Sequence, residues 1–235
     1  MVTPLDLQEQ EQVDQLKAFW QQYGNLITWT LILALGGFAA WNGWNWWQRD
    51  QGIKASSMFD ELERAAQAND AERSARVFAD LKERFPRTAY AQQGALLAAK
   101  VQAEKGQTDA ALASLAWASD NASEDETRSI ARLRAAGLLI EKKQYDAALA
   151  QLDAAASGKY AKEFEALLAD RRGDVLLAQG KKDEARKAFE LAYSAMDAKV
   201  EYRRLIDAKL TALGAAPAAA AAASASAAAA SGVAK

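Results

Sequence analysis

The acidic run Glu124-Asp125-Glu126 has a spacing that suits chemistry, because paired carboxylates can act as a general acid and a general base. The run follows Ser123, so Ser123 and Glu126 also have the spacing of a capping box in front of an apolar segment. In a capping box the two side chains bond free amides in the first turn of a helix. We therefore expect a helix that begins at Ser123, and no catalytic carboxylate pair.

A second charged group consists of Arg171, Arg172 and Asp174. These residues fit either a binding site for a partner or a structural ion network on the helix surface. Residues three positions apart are neighbours on a helix surface, which favours the structural network. The other acidic residues are scattered at the spacing of helix surfaces, and the sequence has no Gly-rich phosphate loop.

The sequence contains no cysteine and no histidine among its 235 residues. This excludes thiolate nucleophiles, catalytic triads, disulfides and the two ligand types that zinc prefers. We therefore predict no catalytic residue, no cofactor and no metal site, and a protein that is not an enzyme. The 29 Lys and Arg residues nearly balance the 31 Asp and Glu residues, which argues against nucleic acid as a partner.

Alanine is abundant, and Pro4, Pro86 and Pro217 are the only prolines. Alanine is the best helix former and proline the worst, so we predict an all-α protein. Six of the seven tryptophans lie between Trp20 and Trp47. Because indole rings favour the depth of lipid headgroups, this cluster indicates a membrane interface.

The segment between Lys17 and Arg49 carries no charged side chain. The 18 helical steps from Trp29 to Trp47 would span about 27 Å, close to the thickness of a hydrocarbon core. We predict a transmembrane helix over 25–48, in preference to a buried soluble helix or a cleaved signal peptide, whose first region would be basic. Small residues form one stripe on this helix and either receive another transmembrane helix or reflect ordinary membrane composition; they are Gly36, Ala40 and Gly43.

The charges that flank this helix bear on its orientation. Lys17 precedes it, whereas Arg49, Lys54 and Arg64 follow it. Counted alone, these residues place the following domain in the cytoplasm. The difference is small, and large domains can cross a membrane regardless of flanking charge.

Three segments of the following domain align with one another at a constant spacing of 37 residues; they are Lys105 to Ala118, Lys142 to Ala155 and Gly180 to Ala192. Small residues, then large apolar residues, then alanines recur in that order; they are Ala111, Ala148, Ala185, then Leu115, Leu152, Phe189, then Ala118, Ala155, Ala192. Twelve positions earlier, Ala99, Ala136 and Gly173 would let two helices cross closely. This pattern predicts a tetratricopeptide-like helical-repeat solenoid of four hairpins.

The predicted organisation has four parts. Residues 1–24 form an amphipathic N-terminal segment, 25–48 the transmembrane helix, and 49–213 the repeat domain. The last helix of that domain, over 197–213, is expected to cap the stack. Residues 214–235 are almost only Ala, Ser and Gly, and we predict a disordered low-complexity tail.

The chain resembles the YfgM-like family of ancillary SecYEG translocon subunits. The resemblance is carried by Leu16-Lys17-x-Phe19-Trp20-x-x-Tyr23-Gly24, by the tryptophan-closed helix, and by Asp170-Arg171-Arg172-Gly173-Asp174 with Gly180. It implies a single-pass protein of the bacterial inner membrane, with a cytoplasmic N-terminus and a periplasmic repeat domain. It also implies that the partners are the translocon and the periplasmic chaperone PpiD.

A tetratricopeptide stack binds partners on the concave face formed by the first helix of each pair. The residues that we expect on that face are Leu96, Lys100, Leu133, Ile140, Leu167, Asp170, Asp174 and Leu177. We expect them to hold a segment of a partner or of an unfolded, newly translocated client. The leucines could equally serve only to pack helices together.

The predicted function is therefore that of a membrane-anchored adaptor of the Sec translocon, in contact with lipid through its helix. The alternative is a membrane-anchored scaffold that faces the cytoplasm and has no role in secretion. The two differ in the side of the membrane on which the repeat domain lies.

Overall fold

The computed structural model describes the backbone of residues 7–215, with side chains for residue 15 and residues 17–215. Within this range the chain forms nine α-helices and no strand, which confirms the all-α prediction. The helices are α1 (Leu7–Gln67), α2 (Ala71–Arg84), α3 (Ala89–Glu104), α4 (Thr108–Asn121), α5 (Asp125–Glu141), α6 (Tyr145–Ala156), α7 (Glu165–Ala178), α8 (Lys182–Ala195) and α9 (Arg203–Ala212).

The chain divides into two compact units, Met1–Ile53 and Lys54–Lys235. The predicted boundaries at 24, 48 and 213 stay predictions beside this division. The predicted tail lies outside the described residues, apart from Gly214 and Ala215, and so do the first six residues.

The first unit contains the apolar part of α1. By length and composition the segment Lys17–Gln67 holds a helix that could cross a membrane. Its large apolar side chains are exposed, among them Leu33 and Trp46. The hydroxyls of Thr28 and Thr30 donate to carbonyls four residues earlier at 2.7 and 2.8 Å, so they are satisfied inside the helix. This surface suits contact with lipid chains.

The predicted stripe of Gly36, Ala40 and Gly43 also lies on the exposed surface of α1. A Cβ atom added to either glycine would meet nothing within 4 Å. A role of this stripe in packing against another helix stays a prediction.

The second unit is a stack of four helical hairpins and a cap. The hairpins are formed by the end of α1 with α2, by α3 with α4, by α5 with α6, and by α7 with α8. Arg73 of α2 contacts Glu61 of α1 at 3.1 Å. The first helices α3, α5 and α7 lie side by side and form one face of the stack.

The residues at the 37-residue spacing form the core of this stack. All nine aligned positions from Ala111 to Ala192 are at most 2 % exposed. The spacing also reaches the first hairpin, where Phe78 and Leu81 are buried at the corresponding positions. The residues that recur every 37 positions in the sequence are therefore the ones that pack in the core of each hairpin.

Gly173 shows why small residues occupy the helix crossings. A Cβ atom at this position would lie 2.5 Å from Cε1 of Phe189, well inside van der Waals contact. In the first hairpin the larger Leu62 stands at the crossing, and Gly94 of α3 leaves room for it. The close approach of α7 and α8 thus depends on the missing side chain at 173.

The turn inside each hairpin repeats as well. Asn69, Gly106, Lys143 and Gly180 all have positive φ, between 55° and 81°, and they are spaced by 37 residues. In each turn the amide of the following residue donates to a carbonyl five positions earlier, as from Gln107 to Gln102 at 2.8 Å. This is the Schellman arrangement, in which a left-handed residue ends a helix and satisfies its last carbonyls.

Two helix starts differ from the prediction. Helix α5 begins at Asp125 and not at Ser123, because the Ser123 hydroxyl bonds the Gln92 side chain at 3.2 Å and caps no amide. The cap helix α9 begins at Arg203 and not near Asp197. The Asp197 carboxylate accepts the amide of Lys199 at 2.9 Å, which favours a turn over a helix.

Candidate functional site

A groove runs across the face formed by α3, α5 and α7. Its volume is about 510 Å³. Side chains of all three helices line it, among them Lys100, Leu133, Arg134, Ile140, Arg171 and Asp174. We call it the concave groove.

Gly137 of α5 opens the middle of the concave groove. A Cβ atom at this position would meet only Cζ of Arg171, at 4.0 Å. Gly137 follows Ala136, which is fully buried at the helix crossing. The glycine therefore widens the groove without taking part in the close packing that Gly173 serves.

Leu133 and Ile140 have a double role. Both are half-buried and pack against the core cluster that includes Ala136 and Leu152. Both also line the concave groove, and so supply its apolar floor. A charge placed at either position would disturb the core as well as the groove.

The rim of the concave groove carries both signs of charge. Lys100 and Glu104 of α3 are 3.9 Å apart. Arg134 of α5 donates to the backbone carbonyl of Leu96 at 3.3 Å. Arg171 of α7 donates to Asp174 at 3.3 Å. The groove thus has an apolar floor between charged edges, an arrangement in which apolar contact supplies affinity and charges supply selectivity.

Asp170 and Asp174 are tied to the cap helix. Asp170 is 1 % exposed; one of its oxygens accepts from the Tyr202 hydroxyl and the other from the Lys209 ammonium, each at 2.8 Å. The same ammonium contacts Asp174 at 2.8 Å. We call these four residues, Asp170, Asp174, Tyr202 and Lys209, the cap lock. They fasten α9 onto α7.

The cap lock changes the acidity of Tyr202. Burial, followed by the hydrogen bond to Asp170 and the charge of that carboxylate, raises the pKa of Tyr202 from 10.0 to about 12. Arg171 has a smaller, opposite effect. The phenol therefore stays protonated and donates to Asp170 throughout the neutral range.

The structure brings together four of the eight residues predicted for the concave face: Lys100, Leu133, Ile140 and Asp174. Leu96 is half-buried against the first core cluster, and Leu167 is also half-buried. Leu177 is 38 % exposed. Asp170 differs most from the expectation, because it is buried by its contacts with α9.

Sequence reasoning missed Arg134 and Gly137 in the groove, and Tyr202 in the cap lock. Residue types at equivalent positions of the 37-residue spacing could have indicated both the cap lock and the groove. Leu96, Leu133 and Asp170 occupy equivalent positions, so the aspartate replaces a leucine. Arg134 and Arg171 are also equivalent, as are Lys100, Gly137 and Asp174.

The interpretation of the Arg171–Asp174 stretch as an ion network agrees with the contacts. Arg171 pairs with Asp174 in the same helix. Arg172 pairs with Asp153 of α6 and so links two neighbouring hairpins. Within residues 7–215 no group of three or more acidic side chains is placed to hold a metal ion.

A second depression of about 530 Å³ lies between α6, α7 and α8. Leu191, which is 48 % exposed, and Ala188 line it from α8. Because α8 is the second helix of its hairpin, this depression offers a comparison surface for experiments on the concave groove.

Two comparisons with known proteins bear on the family of the chain. Residues 17–215 match the family model described as tetratricopeptide repeat-like domain. The chain is also similar to the ancillary SecYEG translocon subunit of Haemophilus influenzae, with 30% identity over 132 residues. That alignment covers 56% of this chain and 64% of the relative, which is less than two thirds of the relative's length.

Proposed function

The chain belongs to the tetratricopeptide repeat-like family, and from this premise we propose that it is a single-pass adaptor of the bacterial Sec translocon in the inner membrane. It binds a segment of a partner protein in the concave groove and catalyses no reaction. The observation that carries the proposal is the groove itself, an apolar floor between charged rims on the shared face of α3, α5 and α7. The apolar helix near the N-terminus supports the membrane anchor.

The shape of the concave groove supports binding of a peptide segment. The groove is open, and its floor continues from one hairpin to the next through Leu133 and Ile140. A segment laid across it would bury apolar side chains against this floor. Its polar groups would meet the rims, where Lys100 and Arg134 are exposed.

The candidate partners come from proteins that this chain resembles. The relative's name supports association with the translocon. The resemblance to YfgM-like proteins adds a PpiD-type periplasmic chaperone and unfolded, newly translocated clients as occupants of the groove. Lipid surrounds the membrane helix, and nucleic acid is not a partner.

The proposed topology places the N-terminus in the cytoplasm and the repeat domain in the periplasm. A reporter that is active only in the periplasm, fused after Gly214, tests it. Activity supports the adaptor. Activity of the matching cytoplasmic reporter alone would instead favour the scaffold on the cytoplasmic side, which is the side that the flanking charges indicate.

Photo-crosslinking in membranes tests the groove. We expect a photoreactive residue at Lys100, on the rim of the groove, to give adducts with the translocon or the chaperone. The same residue at Leu191, in the second depression, is the matched control and should give none. Equal adducts from both positions would contradict the proposal.

Gly137→Leu blocks the groove in the same experiment without placing a charge in the core. The new side chain fills the middle of the concave groove, while leucine is a better helix former than glycine. Adducts at position 100 should fall at least tenfold, whereas Gly137→Ala should keep most of them. Unchanged adducts in Gly137→Leu would show that partners bind elsewhere.

A further inference from the structure

We propose that Arg171 selects the occupant of the concave groove by binding a carboxylate on an otherwise apolar segment, and that Asp174 is the positioning residue that holds Arg171 there. This inference rests on the proposed function and names the chemistry of the partner segment. A side-chain carboxylate of Asp or Glu, flanked by apolar residues, is the group that fits.

Arg171 lies in the concave groove, next to Gly137. Its guanidinium carbon lies over Gly137, 4.0 Å from where a Cβ atom would stand, and its side chain is 37 % exposed. The missing side chain of Gly137 is what gives the guanidinium space above the floor. Arg171 therefore lies within the groove and remains open to a ligand.

Arg171 and Arg134 have different hydrogen-bond partners. The two arginines are equivalent in the repeat, and Arg134 donates to the carbonyl of Leu96 on the preceding first helix. Among the contacts of the described residues, Arg171 donates instead to Asp174 in its own helix, through one nitrogen. A guanidinium has five N–H donors, so Arg171 keeps donors for a bound segment.

Asp174 lies between two cations, Arg171 and Lys209. Its Oδ1 atom contacts Lys209 at 2.8 Å, whereas its Oδ2 atom accepts from Arg171 at the longer distance of 3.3 Å. One carboxylate thus serves two cations, and Lys209 of α9 holds it in place. Arg171 is oriented by Asp174 and is not fully neutralised by it.

The acidic side chains of the rim limit what can bind. Glu104 is beside Lys100, and Glu141 lies one turn beyond Gly137 in α5. A strongly acidic segment would meet both glutamates. A single carboxylate placed at Arg171, with apolar neighbours over Leu133 and Ile140, avoids them and gains the bidentate geometry that guanidinium offers.

The test uses the full chain in nanodiscs of zwitterionic lipid and two fluorescent peptides. The probe is Ala-Leu-Ala-Glu-Leu-Ala-Leu with blocked ends, and the control peptide carries Gln in place of Glu. We expect the wild-type chain to bind the Glu peptide about tenfold more tightly than the Gln peptide, as a charge-assisted pair implies.

Two variants test whether Arg171 and Asp174 cause the preference for the Glu peptide. Arg171→Gln should abolish it while binding the Gln peptide within about twofold of wild type, since the apolar floor is intact. Asp174→Asn should reduce it to about threefold, because Arg171 loses its charged anchor. Circular dichroism confirms that both variants are folded. A purely structural role of either residue would weaken both peptides equally and leave the ratio unchanged.

The outcomes separate this inference from the proposed function. Equal binding of the two peptides by wild type, with loss of both in Gly137→Leu, overturns the carboxylate and keeps the groove. A preference that survives Arg171→Gln overturns the role of Arg171, and one that survives Asp174→Asn overturns the positioning. Absence of binding of either peptide overturns the inference, while the crosslinking at Lys100 decides the proposed function on its own.

Discussion

The third hairpin and the last hairpin are built on the same repeat but are held in different ways. Among the described residues of α5 and α6 no charged side chain is buried, and small residues such as Ala136 and Ala148 pack beside Leu152. Around α7, α8 and α9 an apolar cluster centred on Phe189 is joined by the charged cap lock. Interior hairpins gain a neighbour on each side, whereas the last one ends the stack.

The end of a helical stack must be closed without a further hairpin. In the third hairpin the face of α5 continues onto α7, so apolar side chains at the repeat positions are covered by the next unit. At α7 the neighbour is the short α9, which buries only Ile206 and Leu210. Asp170 stands where the second and third hairpins have leucine, and its bonds to Tyr202 and Lys209 fasten the cap by charge.

The largest expected effect comes from the cap lock. Lys209→Met leaves Asp170 buried without its cation, which we expect to destabilise the docking of α9 by about 3 kcal/mol. Hydrogen exchange of α9 amides measures this, with α6 amides as the internal reference. If α9 stayed as protected as in wild type, the cap would be held by its apolar contacts alone.

The next effect concerns helix crossings. Gly173→Ala places a Cβ atom 2.5 Å from the Phe189 ring and should destabilise the fold by about 2 kcal/mol, although alanine is the better helix former. Urea unfolding of the full chain measures it. The matched Gly137→Ala, which meets no close atom, should stabilise by about 1 kcal/mol, and an equal loss in both would refute the distinction between the two glycines.

A smaller effect depends on pH. The folded-state pKa of Tyr202 is raised to about 12 from 10.0, so its contribution is complete below pH 10 and is lost as the pH rises through 12. Protection of α9 against exchange should decline over that window in wild type. Tyr202→Phe should weaken α9 at neutral pH by about 1.5 kcal/mol and remove this part of the decline. The same decline in both proteins would point to other groups.

The smallest effect comes from a surface link between hairpins. Lys142 pairs with Asp109 of the preceding hairpin, and the aspartate side chain is 86 % exposed. Asp109→Asn should change the unfolding free energy by less than about 1 kcal/mol, because solvent screens exposed pairs. Raising the salt concentration should erase what remains, and a loss as large as that of Lys209→Met would contradict the contrast between core and surface charge.

The repeat could be predicted from the sequence because each unit restates it. Ala111, Ala148 and Ala185 carry the same information three times, so their spacing alone is enough to reveal the hairpins and the crossings. The cap lock occurs once and joins residues 32 to 39 positions apart, from Asp170 to Tyr202 and Lys209. Only the replacement of leucine by Asp170 marks it in the sequence.

The concave groove lies between these cases. Lys100, Leu133, Ile140 and Asp174 followed from the choice of the first helix as the binding face. Gly137 and Arg134 were missed, because their roles depend on what faces them from α7 and α3. From the sequence alone, Gly137 is interpreted as part of the helix crossing, because it follows Ala136. Its role in the groove becomes visible only when the position of α7 is known.

The left-handed turns of the hairpins make the chain modular. Each turn is closed by bonds within its own hairpin, and its residue of positive φ recurs at the same step from Asn69 to Gly180. A second copy of residues 105–141, inserted after Glu141, would therefore enter in register. It would leave the cap untouched and lengthen the face of first helices by one helix, with one more arginine at the position of Arg134. The length of the face formed by the first helices is thus set by the number of units, which gene duplication can change.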